Sequence, residues 1–346
     1  MPRSFRLLIG FLVITIPSAW AADAEADWNA VIALDAGPQR KPSSAQEAQQ
    51  IVIEHLGRQE RALRKYLADH SASEHGFDAQ FRLAGLLMMR GEVQGSQAAS
   101  SEAEQILSRL EKQASPEERV DLDFVRLTQR MRAIPEPSAA ERQSLLNAAR
   151  QFQAAHPTDR RVPAVLAEVA TRFNSDPKTK QALLLDALHS APGEDLKIRI
   201  RDDLRGLELL GNVVNFEIEP IGNGPSKLEA YREKVVVLVF FAVWSEPSID
   251  AVDALRKAAA SLPKDRLEIV GVSLDTKPER LAAMVKEKGL SWPILCDGKG
   301  WESPAVRRLG INALPTVWIL DAQGRLRSLD GLNNLAAQIR PLLRNP

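Results

Sequence analysis

Residues 235–248 read Val-Val-Val-Leu-Val-Phe-Phe-Ala-Val-Trp-Ser-Glu-Pro-Ser, and no other stretch narrows the fold as far. The first seven are apolar without alternation, and all but Leu238 are β-branched or aromatic. Such a run is a strand covered on both faces of a sheet. The run breaks at Trp244, after which Ile249, Val252, Leu255 and Ala259 recur at helical spacing. The stretch therefore predicts a strand, a tight turn and a helix, with Pro247 in the helix's first turn, where proline is tolerated. The turn sits at a helix N-terminus, where unpaired N–H groups favour anions.

Elements of the same kind follow. Residues 213–219 alternate and predict a strand. Residues 267–274 (Leu-Glu-Ile-Val-Gly-Val-Ser-Leu) predict a second buried strand, followed by a helix over 278–288. A short strand over 293–296 and a short helix over 304–309 come next. Pro315 opens another strand, a place where proline is tolerated. Ala322-Gln323-Gly324 makes a hairpin turn to an edge strand over 325–328, and a helix over 333–343 closes the chain. This order gives an α/β layer class from the residues alone.

Residues 28–210 are helical with regular punctuation. Ala48, Ile51, Val52, His55, Leu63, Tyr66 and Leu67 follow a helix period, as do Val120, Phe124, Leu127 and Met131, and Leu145, Ala148, Ala149 and Phe152. Ser44 to Glu47, Ser115 to Glu118 and Ser138 to Glu141 carry the Ser-x-x-Glu capping pattern. Breakers fall at Gly91 to Gly95, Pro135 and Pro137, Pro157, Pro177 and Pro192. Pro157 and Pro192 stand about 35 residues apart around two helical patterns, close to the tetratricopeptide period. We expect a helical-hairpin array here, with a tetratricopeptide-like arrangement as one form it could take. His70 and His75 flank Glu74; without a recognised metal-ligand spacing they predict a solvated loop between helices. His55 falls on an apolar face and is expected to pack in the core.

The chain has 346 residues, a length for two domains and a leader. Its formal net charge is zero, which gives no basis for a nucleic-acid partner. Arg3 and Arg6, an apolar core over 7–16 and Ala19-Trp20-Ala21 form a secretory signal pattern with cleavage before Ala22. The apolar core is too short for an ordinary membrane span. The expected organisation is a leader over 1–21, a helical domain over 22–210 and an α/β domain over 211–346. Export permits disulfides, yet Cys296 is the one cysteine in the chain. An intramolecular disulfide, a cysteine metal cluster and a dithiol cycle are therefore all ruled out.

Residues 241–248 resemble the thioredoxin superfamily, and within it the exported TlpA/ResA-type, AhpC/TSA-redoxin-like thioredoxins, which read Phe-Trp-Ala-x-Trp-Cys-x-Pro-Cys at this point. Trp244 and Pro247 occupy the matching places, and Ser245 and Ser248 stand where that pattern has cysteine. A second signature, Gly-Ile-Asn-Ala-Leu-Pro-Thr-Val-Trp-Ile-Leu-Asp over 310–321, resembles Gly-Val-x-x-x-Pro-Thr-x-Phe-Leu-Ile-Asp. Residues 228–234 resemble Leu-x-x-Tyr-x-Gly-Lys, with Glu233 in place of glycine. The resemblance spans about two fifths of the chain. It implies an α + α/β organisation: the helical-hairpin array, then a thioredoxin-like α/β/α domain with an inserted helix-strand unit over 277–301. It also implies a cis bond between Leu314 and Pro315 that faces the turn, and a groove between Trp244, Ser245, Glu246, Pro247, Ser248 and Leu314–Pro315 that accepts a protein or an extended peptide segment.

Thiol–disulfide exchange needs a thiolate attacking sulfur, which a serine hydroxyl cannot supply. Hydrolysis by Ser245 would need an adjacent base, and all five histidines precede residue 190. Ser245 reads instead as a helix N-cap, and Trp244 either as an exposed apolar rim or as a packed loop residue. No catalytic residue, cofactor or metal is expected. The leading expectation is an exported, redox-inactive binding protein, periplasmic or extracellular in a bacterium, without stable membrane insertion. The alternative is a thiol–disulfide oxidoreductase or peroxidase-type enzyme using Cys296 or a partner's cysteines. A third possibility is a scaffold in which the helical array binds. Against the enzyme, Cys296 sits at the end of an apolar strand, and free cysteine is among the most buried residue types. The leader itself predicts a mature chain starting near Ala22; intact mass of exported protein checks this, and retained Met1 would refute it.

Overall fold

The computed structural model describes residues 18–344, except 71, 135–136, 223, 260–262 and 264. Most of the expected leader, residues 1–17, lies outside the described residues, as does the breaker Pro135. Among the described residues, no helix is long and apolar enough to cross a membrane. The chain divides into two compact units, Met1–Val125 and Arg126–Pro346.

The first unit holds α1 (Ser18–Ala33), α2 (Ala45–Asp69), α3 (Gly76–Gln94) and α4 (Gln97–Leu110). Their apolar stripes bury Trp28, Leu56, Leu63, Tyr66, Leu87, Ile106 and Leu107 in one core. Of these helices, α2 begins at a predicted capping serine. Ser44 Oγ accepts from Glu47 N–H at 3.1 Å, although Glu47 reaches back to Ser43 rather than to Ser44. Ser115 and Glu118 make the full reciprocal pair. His55 is buried as expected, whereas Val52 on the same stripe is 42% exposed. The loop with His70 and His75 departs from a solvated turn. His70 Nε2 meets Asp27 Oδ2 and His75 Nε2 meets Glu25 Oε2, each at 2.9 Å, and the His75 ring stacks on Trp28 at 4.8 Å. Both carboxylates come from α1, so the loop is docked by groups about 45 residues away in sequence that no local pattern reveals.

α5 (Pro116–Ala133) crosses the division in sequence. The second unit continues with α6 (Ala139–Ala155), α7 (Val162–Ala170), α8 (Pro177–Ser190) and α9 (Glu194–Glu208). Ser138 and Glu141 form the capping box of α6, and α7 and α8 are the two helices between Pro157 and Pro192.

Then come β1 (Val235–Phe241), α10 (Glu246–Ala259), β2 (Leu267–Ser273), α11 (Pro278–Lys288) and β3 (Ile294–Leu295). α12 (Pro304–Leu309), β4 (Thr316–Leu320), β5 (Leu326–Ser328) and α13 (Leu335–Arg344) complete the chain. The sheet runs β3-β2-β1-β4-β5, parallel from β1 through β2 to β3 and antiparallel from β1 through β4 to β5. All seven residues of β1 are buried, and their alternation divides them between two cores. Val236, Leu238 and Phe240 pack with Trp318, Val306 and Leu309 on one face. Val235, Val237, Val239 and Phe241 pack with Val252, Leu255, Leu281 and Ile339 on the other. The expected helices over 278–288 and 304–309 form at those residues. The expected strand over 213–219 does not form a ladder. Val214, Phe216 and Ile218 alternate inward, but the segment meets its neighbours only at single bridges, such as Val213 with Arg325 and Glu217 with Lys227. Its alternation reflects burial against the core, which does not require a pairing partner along its length.

The helices preceding residue 211 are joined to the sheet domain within this unit. Arg205 Nη1 donates to the Arg307 carbonyl at 2.7 Å, and Asn312 Nδ2 donates to the Arg199 carbonyl at 3.0 Å. Residue 210/211 is where helices give way to extended chain; the compact division lies at 125/126. Gly310 shows how tightly α9 lies on the loop after α12. Its φ is +72°, and an added Cβ would sit 2.4 Å from the Asp202 carbonyl oxygen and 3.2 Å from Arg205 Cβ. Gly310→Ala should therefore destabilise the protein by about 2 kcal/mol or more. The denaturation midpoint reads this out, and an unchanged midpoint would mean that α9 does not press on this loop.

Candidate functional site

The turn after β1 is built by hydrogen bonds from three directions. Ser245 N–H donates to the Ala242 carbonyl at 3.2 Å, and Ile249 N–H to the Ser245 carbonyl at 3.2 Å. Ser248 N–H donates to Ser245 Oγ at 3.4 Å, which makes Ser245 the side-chain cap of α10. Ahead of it, Val243 N–H points at Asp275, at 3.0 Å from Oδ2 and 3.2 Å from Oδ1. Asp275 is buried, and its carboxylate also accepts from Ser273 Oγ at 2.7 Å. A buried carboxylate needs such donors to offset its lost hydration. Asp275 thus fastens the end of β1 to the end of β2 directly under the turn. Sequence reasoning passed over it; the signal was an acidic residue just past the end of a mostly apolar strand.

The two serines occupy different surroundings. Ser245 is half-buried and its hydroxyl oxygen is used. Ser248 is 0% exposed, and its Oγ has no hydrogen-bond partner among the described residues. An unpaired buried hydroxyl is unfavourable by about 1–3 kcal/mol, and a thiol or methyl in the same place would not carry that cost. Between them, Glu246 and Pro247 are exposed, and Trp244 is 61% exposed. Trp244 is thus the rim residue of the turn rather than a packed loop residue.

Sheet register brings the other predicted site residues to the same end. β1 and β4 are antiparallel with Phe240 opposite Thr316, so the chain leaving β1 passes the chain about to enter β4. Leu314–Pro315 immediately precedes Thr316, and its peptide bond is cis. Leu314 packs partly into the core below, and Thr316 Oγ1 donates to the Ala313 carbonyl at 2.8 Å.

Cys296 follows β3, on the far side of β2 from β1. It is half-buried, its Sγ–H donates to the Asp275 carbonyl at 3.4 Å, and its N–H to the Glu219 carbonyl at 3.0 Å. Burial pushes its thiol pKa up, and the carboxylates of Asp275 and Asp297 push the same way. Hydrogen bonds from Gly298 and Ser273 oppose the shift without reversing it. A raised pKa leaves less thiolate at neutral pH, the reverse of what nucleophilic sulfur chemistry requires.

Residues 211–329 match the AhpC/TSA family. A search of characterised proteins finds similarity to the thioredoxin-like protein YneN of Bacillus subtilis (strain 168), 26% identical over 118 residues. That match covers 33% of this chain and spans 66% of the relative's length. Among solved structures, the thiol-disulfide oxidoreductase of Bacteroides fragilis NCTC 9343 aligns at 23% identity with a TM-score of 0.34, over 38% of this chain and 98% of that one. A thiol-disulfide isomerase of Corynebacterium glutamicum aligns at 18% identity with a TM-score of 0.35, over 39% of this chain and 98% of that one. The C-terminal domain is thioredoxin-like, and a helical region precedes it.

The unequal environments of the two serines give a paired expectation. Ser245→Ala removes the cap and should destabilise the protein by about 1 kcal/mol. Ser248→Ala removes the orphan hydroxyl and should stabilise it by about 1 kcal/mol. Equilibrium denaturation of the two variants checks both signs, and shifts of the same sign would refute the assignment.

Proposed function

We propose that this chain is an exported, redox-inactive thioredoxin-like protein whose groove between Trp244–Ser248 and Leu314–Pro315 binds an extended segment of a partner protein. One observation carries the reading. The turn presents a 61% exposed tryptophan at the end of the sheet where the cis-proline loop enters β4, while the Ser245 hydroxyl caps α10 and the Ser248 hydroxyl is buried. An exposed indole next to extended backbone is a surface for apolar contact and strand-like pairing with a peptide. The relatives named for thiol–disulfide chemistry are similar to the C-terminal domain alone. They do not carry their chemistry to a turn that holds hydroxyls, because oxygen cannot form the mixed disulfide. The basic and apolar start of the chain supports export.

The protein should not accelerate reduction of a disulfide-bonded substrate by dithiothreitol, and native Cys296 should alkylate slowly until the pH exceeds the ordinary thiol range. Ser245→Cys with Ser248→Cys should form a disulfide under oxidation and show weak reductase activity, since the helix N-terminus favours a thiolate at residue 245. Against an array of extended peptides, Trp244→Ala should weaken binding about tenfold, equivalent to about 1.4 kcal/mol. Reductase activity of the natural sequence, abolished by Cys296→Ser, would replace the binding reading with the enzyme one.

A further inference from the structure

Within the second unit, a cavity of about 240 Å³ lies where α8 and α9 meet the loops around Pro315 and Gly331. Lys180 of α8 lines it and is only 8% exposed. Its Nζ donates to Asn174 Oδ1 at 2.7 Å, its one hydrogen bond among the described residues. An ammonium carries three N–H donors, so two remain for whatever enters the cavity. Asp203 of α9 and Asp330 of the loop after β5 also line the cavity. Burial lowers the Lys180 pKa, and these two carboxylates act to raise it, from beyond ion-pair distance. Asp203 Oδ1 accepts from Asn312 Nδ2 at 3.3 Å, whereas Asp330 bonds through its backbone N–H and carbonyl and its carboxylate accepts from no donor among the described residues.

The wall chemistry selects the ligand. A bare anion would meet Lys180 but also two carboxylates, and a bare cation would meet the carboxylates but also Lys180. Each would bring an uncompensated charge into a site where desolvation is costly. A neutral group with an acceptor and a donor side by side satisfies both walls, and an amide is such a group. The volume suits one side chain or one peptide unit and falls below that of drug-sized pockets, about 300–1,000 Å³. Access is open, because a wider hollow of about 700 Å³ shares Thr171, Asn174, Asp330 and Leu332 with the cavity.

We propose that this cavity is a binding pocket for an amide, its carbonyl oxygen accepting from Lys180 Nζ and its N–H donating to the Asp330 carboxylate. The amide comes from a peptide bond or from an Asn or Gln side chain; that a partner polypeptide supplies it rests on the groove reading above. Pro315 and Thr316 line the pocket as well, so it adjoins the cis-proline loop from the side that the helices cover. The helices thereby contribute a recognition element that a thioredoxin-like domain alone would lack.

The test titrates blocked single residues into the full-length chain labelled with ¹⁵N-glycine. The probes are the N-acetyl methylamides of glutamine, norleucine, glutamate and lysine, and the readout is the amide signals of Gly310 and Gly331, which line the pocket. The glutamine probe should shift both signals saturably, and if its side-chain amide is the bound group it should bind more tightly than the norleucine, glutamate and lysine probes. Equal binding of the norleucine probe assigns the backbone amide, and weaker binding assigns the side chain. Lys180→Met should weaken binding at least tenfold, and Trp244→Ala should leave it unchanged, which separates this pocket from the groove. Asp330→Leu, at the pocket's edge, should weaken binding as well and stands in if Lys180→Met fails to fold. Absence of any saturable shift overturns the proposal, as does tighter binding of a charged probe or binding that survives both variants. Peptide binding lost in Trp244→Ala but indifferent to Lys180 would leave the groove reading standing without this pocket.

Discussion

The burial of β1 on both faces is the constraint from which the second unit's architecture follows. Each of its apolar side chains stabilises the fold by about 1.5–3 kcal/mol when removed from water. Collecting that stabilisation requires material on both faces of the sheet. α10, α11 and α13 supply one cover, and α12 with the inward residues of 214–218 supplies the other. Strands β2 and β4 then take the two hydrogen-bonding edges of β1, one parallel and one antiparallel. The antiparallel partner reverses the chain, so the start of β4, which the cis Leu314–Pro315 bond precedes, lies beside the end of β1.

The turn between β1 and α10 carries two serines, Ser245 and Ser248. Its geometry is held by groups that do not depend on sulfur. The Ala242 carbonyl, the Ser245 cap and the buried Asp275 carboxylate fix three successive stretches of backbone. The residue at the cap position makes use of serine's acceptor, while the buried residue gains nothing from its hydroxyl. The asymmetry has a local cause: the half-buried Ser245 oxygen has the Ser248 N–H within reach, and the buried Ser248 oxygen has no partner among the described residues.

The helices preceding residue 211 enter the site's surroundings directly. α9 meets the loop carrying Gly310 and Asn312 through backbone carbonyls and through van der Waals contact that leaves no room for a Cβ. α8 brings a buried lysine to the same loop. A buried charge is costly, and Lys180 has Asn174 as its hydrogen-bond partner with the carboxylates of Asp203 and Asp330 acting on it from the cavity wall.

Much was legible in the order of residues. The unbroken apolar run set β1, because seven successive apolar residues, nearly all β-branched or aromatic and ended by a turn, fit a strand covered on both faces. Pro278 and Pro304 opened their helices at the expected places, and Ser115 and Ser138 capped theirs, because proline and capping act through local covalent geometry and local hydrogen bonds. The Leu314–Pro315 isomer was legible through a family resemblance, not from the residues alone. Tertiary structure decided what depends on groups distant in the chain. The alternation over 213–219 turned out to record burial rather than pairing, since alternation cannot say whether a neighbouring strand has room to run alongside. The docking of His70 and His75 on α1, the fastening of Val243 by Asp275, and the different fates of Ser245 and Ser248 all rest on partners or packing that spacing does not encode. The burial of Lys180 is the clearest case. Its sequence neighbourhood is that of a solvated helix face, and only the packing of α8 against α9 and the cis-proline loop removes it from water.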